Sequence, residues 1–212
     1  YVSFLARRGG MFGVNPVTGE VHEMSSRSLT PVMLSQSDDG RYRLYRHFSR
    51  DATGGLEVTE TGSPVGRLLV PGTDAEGVSL GYNSYERISP RGDRVLFARQ
   101  ADRDVPDAGA LWVIGTDGKG LKKLGMLRTI NGYVWDPSSR LVAYTGVSGN
   151  KKEVLRVVDL ETGAERNIPL PAGASNVKVT SWSRDGKRIG LVANQSRWEY
   201  WAVTGIQRGT AK

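Results

Sequence analysis

The sequence predicts an all-β chain, built from repeated units of four short antiparallel strands, with no helix required anywhere. Three observations carry that expectation. A polar turn followed by an alternating apolar run recurs four times, a second turn signal recurs downstream on the same period, and the 212 residues are turn-rich, with 27 Gly and 9 Pro at 38% hydrophobic residues.

The recurring stretch reads "QSDDGRYRLYRH" at 36–47, "ISPRGDRVLFAR" at 88–99, "WDPSSRLVAYTG" at 135–146 and "WSRDGKRIGLVA" at 182–193. Anchored on Ser37, Ser89, Asp136 and Ser183, the copies are spaced by 52, 47 and 47 residues. A polar tetrapeptide with Gly lets the chain reverse, because Ser or Asp caps the turn and Gly accepts positive φ. Val95 and Phe97, like Ile189 and Leu191, then alternate as a half-buried strand requires. The Trp or Ile ahead of the turn is expected to fill the space between neighbouring sheets. The downstream signal reads "FGVNPVTGEVHEM" at 12–24, "WVIGTDGKGLKKL" at 112–124 and "RVVDLETGAERNI" at 156–168. Its glycines Gly19 and Gly163 lie 144 residues apart, three periods of 48.

Five units follow in order, at approximately 1–28, 29–79, 80–127, 128–174 and 175–212, within a single domain or segment. "VSFLAR" aligns with "VLFARQ", so the first unit begins at its second strand. The last runs through "EYWAVTGI" and stops where its outer strand should start, so both end units are incomplete. A four-stranded unit of this period cannot bury both faces alone, and stacking it on its neighbours gives the blades of a β-propeller. "WSRDGKRIGLV", and next "ISPRGDRVLFA", resemble the TolB-type, WD40-like β-propeller repeat, over nearly the whole chain. The Trp135–Asp136 pair precedes a first turn and is not the eukaryotic WD signature. Four to five blades fall below the usual propeller. Either further strands lie outside this sequence, as its opening at "YVSFLARR" without methionine also suggests, or the ring is small and open and needs a partner on its strand edges. The first reading is favoured.

The 29 Lys and Arg against 22 Asp and Glu leave a net charge of +7, which points to an acidic partner or to general solubility. Absent cysteines exclude disulfides, thiol catalysis and Cys-ligated zinc, and no apolar run is long enough to span a membrane. "GVSLG" at 77–81 imitates a nucleophile elbow, but no strand-to-helix turn surrounds it, and the two histidines, His22 and His47, precede Ser79. It reads as an interblade loop. "DRDVPD", with Asp102, Asp104 and Asp107, lacks the closing Glu of a calcium loop, and "GTDGKG" at 115–120 is a hairpin turn rather than a phosphate cradle. The sequon at 194–196 is a match expected by chance. No catalytic residue, cofactor, metal or small-molecule substrate is assigned.

One surface does stand out. The connections between second and third strands contain Arg7 and Arg8, Arg50, Arg103, Lys151 and Lys152, then Arg197 with Trp198, so every unit places a base on one propeller face. Asp51, Asp102, Asp104, Glu153 and Glu199 dilute that field. The loops at 73–86 and 127–133 are expected on the same face, with Tyr82 and Tyr85 as contacts. The face suits an acidic protein surface or anionic lipid headgroups. Nucleic acid is not favoured, because Trp112, Trp135, Tyr144, Trp182 and Trp201 mostly occupy core positions. The leading expectation is a noncatalytic docking or scaffolding propeller, an accessory subunit of a larger bacterial assembly that could be membrane-associated. The resemblance implies periplasmic protein contacts as one precedent. Two alternatives stand: the gating propeller of a prolyl-oligopeptidase-like hydrolase with its catalytic domain elsewhere, and a propeller binding a sugar or small ligand in its central funnel.

Overall fold

A computed structural model of the chain describes residues 2–6, 10–14, 17–25, 32–46, 55–63, 65–71, 84–100, 109–194 and 198–203, some of them by backbone alone. Eighteen strands occupy these residues, and no helix occurs among them. The first sheet holds β1 (Val2–Ala6), β2 (Gly10–Val14) and β3 (Val21–Ser25). The second holds β4 (Val32–Gln36), β5 (Tyr42–Arg46), β6 (Leu56–Glu60) and β7 (Arg67–Val70). The third is β8 (Ser84–Ile88), β9 (Arg94–Gln100), β10 (Gly109–Gly115) and β11 (Lys122–Leu127). The fourth is β12 (Thr129–Trp135), β13 (Leu141–Val147), β14 (Glu153–Asp159) and β15 (Glu165–Ile168). The fifth contains β16 (Ser175–Trp182), β17 (Ile189–Asn194) and β18 (Trp198–Val203). Every sheet is an antiparallel meander in chain order, and the two three-stranded sheets are those of the end units.

The repeated turn is capped from the same position each time. The Ser37, Ser89 and Ser183 hydroxyls accept the backbone N–H five residues on, at 3.0, 3.0 and 2.9 Å. They donate in turn to the Asp39, Asp93 and Asp185 carboxylates at 2.6, 2.7 and 2.5 Å. In the fourth unit Asp136 replaces the serine, and its Oδ1 accepts the N–H groups of Arg140 and Leu141 at 2.8 and 2.7 Å. One capping group therefore satisfies the donors that a tight reversal leaves open. A second clasp ties three of these turns to the end of their unit's third strand. The N–H groups of Thr61, Thr116 and Leu160 donate to the carbonyls of Arg41, Asp93 and Arg140 at 2.7, 3.0 and 3.0 Å.

In the fourth unit a charge reinforces that clasp. Arg140 Nη2 lies 2.7 Å from Asp159 Oδ2, and Arg140 Nη1 lies 3.0 Å from Glu161 Oε2. The Arg140 guanidinium, with the N–H groups of Glu161 and Thr162, holds the Asp159 carboxyl below its usual 3.8. A depressed carboxyl pKa adds stability that is present above the unfolded value and lost as pH falls through the folded one. Asp159→Asn is expected to cost about 2 kcal/mol at neutral pH. Its loss of stability below pH 3.8 should also be shallower than the parent's, read by urea melts across the acid range.

Alternation sends each strand's side chains to two seams. Val95 and Phe97 of β9 pack with Leu44, Leu56 and Ile88 between the second and third sheets. Leu96 and Ala98 of the same strand pack with Trp135, Val142 and Tyr144 between the third and fourth. Leu141, Leu155, Val177 and Leu191 fill the seam between the fourth and fifth. Each fully buried aliphatic side chain contributes about 1.5–3 kcal/mol, so these seams are the main cohesive term between units. Ile88 and Trp135 fill the interblade space as expected, and Trp135 Nε1 also donates to the Arg87 carbonyl of the preceding sheet at 3.2 Å. Trp182 packs on the third seam but gives its indole N–H to Gly186 in its own turn, at 3.0 Å.

The seams are pinned by polar contacts at both ends. On the turn side, Asp38 N–H donates to the Pro90 carbonyl at 3.1 Å and Arg91 N–H to Ser139 Oγ at 2.9 Å. Within the third seam, Val179 N–H donates to Thr145 Oγ1 at 3.0 Å. The first seam buries an ion pair instead: Arg46 Nη2 contacts Glu86 Oε1, with side-chain exposures of 18% and 1%.

One expected loop is not a loop. The stretch 127–133 belongs to β11 and β12, with Arg128 alone between them. Asn131-Gly132 imitates a turn signal, but it makes a β-bulge between Ile130 and Gly132 against β13. Gly132 is needed there for close approach, since a Cβ would stand 2.8 Å from the Val179 carbonyl oxygen.

Candidate functional site

The topology places all five second-to-third strand connections in equivalent positions: β1 to β2, β5 to β6, β9 to β10, β13 to β14 and β17 to β18. Arg7, Arg8, Arg50, Arg103 and Arg197 fall in these connections but lie outside the described residues, as does Tyr82. So do residues 77–81 and 102–107 with the serine and carboxylates considered above. Tyr85 and Trp198 sit on strands rather than in loops. Tyr85 is the second residue of β8, and Trp198 opens β18 opposite Asn194.

The β13 to β14 connection is described throughout and shows how the bases are presented. Ser148 N–H donates to the Lys152 carbonyl at 2.8 Å and Lys151 N–H to the Ser148 carbonyl at 2.9 Å, closing a compact turn. The Ser148 hydroxyl lies 2.5 Å from Asn150 Oδ1 and 2.8 Å from the Lys152 carbonyl oxygen, two acceptors for its proton. Closing the turn puts Lys151 at φ 62, a left-handed conformation in which a residue with a Cβ is strained. Both lysines are exposed, and neither ammonium has a hydrogen bond or ion pair among the described residues.

The nearest acid does not neutralise them by contact. Glu153 turns into the third seam, where Oε1 accepts Asn176 N–H at 2.7 Å and Oε2 faces Asn131 Nδ2 at 3.4 Å. Asn131 Nδ2 also donates to the Val177 carbonyl at 3.2 Å, and Asn176 adopts φ 49. Asn131, Glu153 and Asn176 thus lock three strands, β12, β14 and β16, beneath the two lysines. Sequence reasoning missed this lock, because its members lie 22 and 23 residues apart and only the stacking of units brings them together. The arrangement sets two exposed ammonium groups beside a hydrogen-bonded junction of three strands.

Among the described residues no group of three or more His, Asp or Glu side chains is placed to hold a metal ion. Trp135 and Tyr144 are buried, and Trp112 and Trp182 are half-buried against the seams, so these four are not stacking platforms. "GTDGKG" forms the β10–β11 hairpin turn, with Gly118 N–H donating to the Gly115 carbonyl at 2.9 Å. The two buried tyrosines are held protonated. Burial pushes Tyr144 up to about 12, and Tyr133 is raised by burial and by the Glu86 charge.

No protein-family model matches the chain, and no curated protein matches it in sequence. Solved structures do. The chain is similar to TolB from Acinetobacter baumannii at 14% identity and a TM-score of 0.66, covering 93% of this chain and 46% of that one. It is similar to an oligogalacturonate lyase in complex with manganese at 15% identity and a TM-score of 0.66, covering 92% and 55%. An acylaminoacyl peptidase in complex with a chloromethyl ketone matches at 12% identity and a TM-score of 0.62, covering 93% and 34%. At such identities the likeness establishes the fold, a TolB-like β-propeller, and the chain spans a third to just over half of each of these proteins.

Proposed function

We propose that the chain is a noncatalytic docking module whose second-to-third connections meet an acidic protein partner, as an accessory subunit of a larger assembly. The observation that carries this reading is positional: each of five units puts at least one base into the same connection, and the fully described one holds two unpaired lysines on a locked platform. Seven sparse cations spread over five connections give long-range attraction and register rather than high affinity per contact. Anionic lipid is the second class of surface that the same charges suit.

The test begins from the native protein and the partner that stays with it on gentle purification. Replacing Arg7, Arg8, Lys151, Lys152 and Arg197 by Ser is expected to weaken that complex by about tenfold or more and to flatten its salt dependence. Binding and salt response equal to the parent's would reject the basic face. The likeness to an acylaminoacyl peptidase favours a second reading, the gating propeller of a serine hydrolase. Intact mass separates the two: a much longer native chain with peptidase activity supports the gate, and a chain of this size in a stoichiometric complex supports docking.

A further inference from the structure

The apolar residues that remain on the surface are not scattered. All six large hydrophobic side chains found exposed among the described residues belong to outer hairpins: Val17 and Val21 at β2–β3, Val65 and Leu68 at β6–β7, and Leu121 and Met126 at β10–β11. In the fourth unit the corresponding strand β15 instead offers exposed Glu165 and Asn167, and its Ile168 packs on a seam.

The third unit adds charge to this pattern. Lys119, Lys122 and Lys123 are exposed around Leu121, and Arg67 reaches across from β7 to the Thr116 carbonyl at 3.0 Å. Lys123 stands 5.9 Å from the Trp112 ring, on the face it shares with Met126, since they pair with Trp112 and Ala110 of β10. The one acid of the hairpin turn, Asp117, is committed to capping Lys119 N–H at 2.9 Å. β11 is also the last strand of its sheet, and its far edge carries no strand among the described residues. Such an edge has backbone donors and acceptors ready for one more strand, and its side chains select what is added.

We propose that the outer edge of β11 is a peptide-docking site that takes an extended acidic segment from a protein partner, by strand addition. Antiparallel pairing sets two adjacent carboxylates beside Lys122 and Lys123, one apolar side chain beside Met126 and another beside Leu121. Apolar contact anchors the segment, and the lysines fix its direction and register. The surface is distinct from the second-to-third connections and binds independently of them.

The probe is a capped, fluorophore-labelled peptide, Ser-Val-Thr-Val-Asp-Glu-Leu-Ser, titrated into the intact chain by anisotropy. Lys122→Glu with Lys123→Glu is expected to weaken binding by about tenfold or more, and Leu121→Ser with Met126→Ser by about fivefold. Lys151→Ser with Lys152→Ser should leave it unchanged, and bound peptide should slow amide exchange in residues 122–127. The four β11-edge substitutions fall on exposed side chains, so an unaltered unfolding midpoint serves as the folding control. Absence of binding by the parent, equal binding by the edge variants, or equal binding of a control peptide with Ser for Val and Leu would each overturn the proposal. So would retention on phosphatidylserine vesicles that the same edge variants abolish while the peptide is ignored, which would assign the surface to lipid.

Discussion

Arg46→Met is expected to destabilise the chain by about 3–5 kcal/mol, the cost of leaving a buried carboxylate without its counter-charge. Glu86 is 3% exposed, its Oε2 is buried with no hydrogen-bond partner among the described residues, and Arg46 supplies the ion-pair contact on Oε1. The single substitution therefore strands a charge in the seam between the second and third sheets. Pairing Arg46→Met with Glu86→Leu should recover most of the loss, because a matched apolar pair fills that space without a desolvation cost. Urea midpoints of parent, single and double variants decide the matter. A single variant within about 1 kcal/mol of the parent would show that the pair is solvated and the seam loose there.

Gly146→Ala is expected to be as severe, for a steric reason. A Cβ at this position in β13 would stand 1.9 Å from the Thr129 carbonyl oxygen and 2.7 Å from Leu127 Cδ1. The first neighbour is backbone, so no rotamer change relieves the overlap. The short passage through Arg128 between the third and fourth sheets would have to move, at about 3 kcal/mol or more. Thermal unfolding is the direct measurement. Gly149→Ala, in the nearby turn with nothing within 4 Å, is the matched control and should shift little.

The repeat was legible in the sequence because its turn is local chemistry. Ser37, Ser89, Asp136 and Ser183 each cap a backbone N–H five residues away, so the residues that form the turn are also those that advertise it. The second unit's outer hairpin was not read. Its Thr61-Gly62 repeats the Thr-Gly pairs at 18–19 and 162–163, and Ser63 N–H closes onto the Glu60 carbonyl at 2.9 Å. The loop expected at 127–133 is strand instead, because its Asn131-Gly132 makes a bulge, which calls for the same dipeptide as a turn and is distinguished only by the neighbouring strand. The basic connections are a reading of position alone, and the left-handed Lys151 and the Asn131–Glu153–Asn176 lock beside it had no signal in that reading. The lock depends on which unit stacks on which, as does the Arg46–Glu86 pair, whose members are 40 residues apart.

The bonds from Asp38 to Pro90 and from Arg91 to Ser139 join the turn of one unit to the turn of the next. Statistically, such a stack is a one-dimensional lattice with strong nearest-neighbour coupling, in which a hairpin gains little until the unit beside it is in place. An interior unit and a terminal one are then unequal even where their own sequences are alike. Deleting the third unit removes two seams, those with the second and the fourth, so a change in that unit is felt on both sides of it at once.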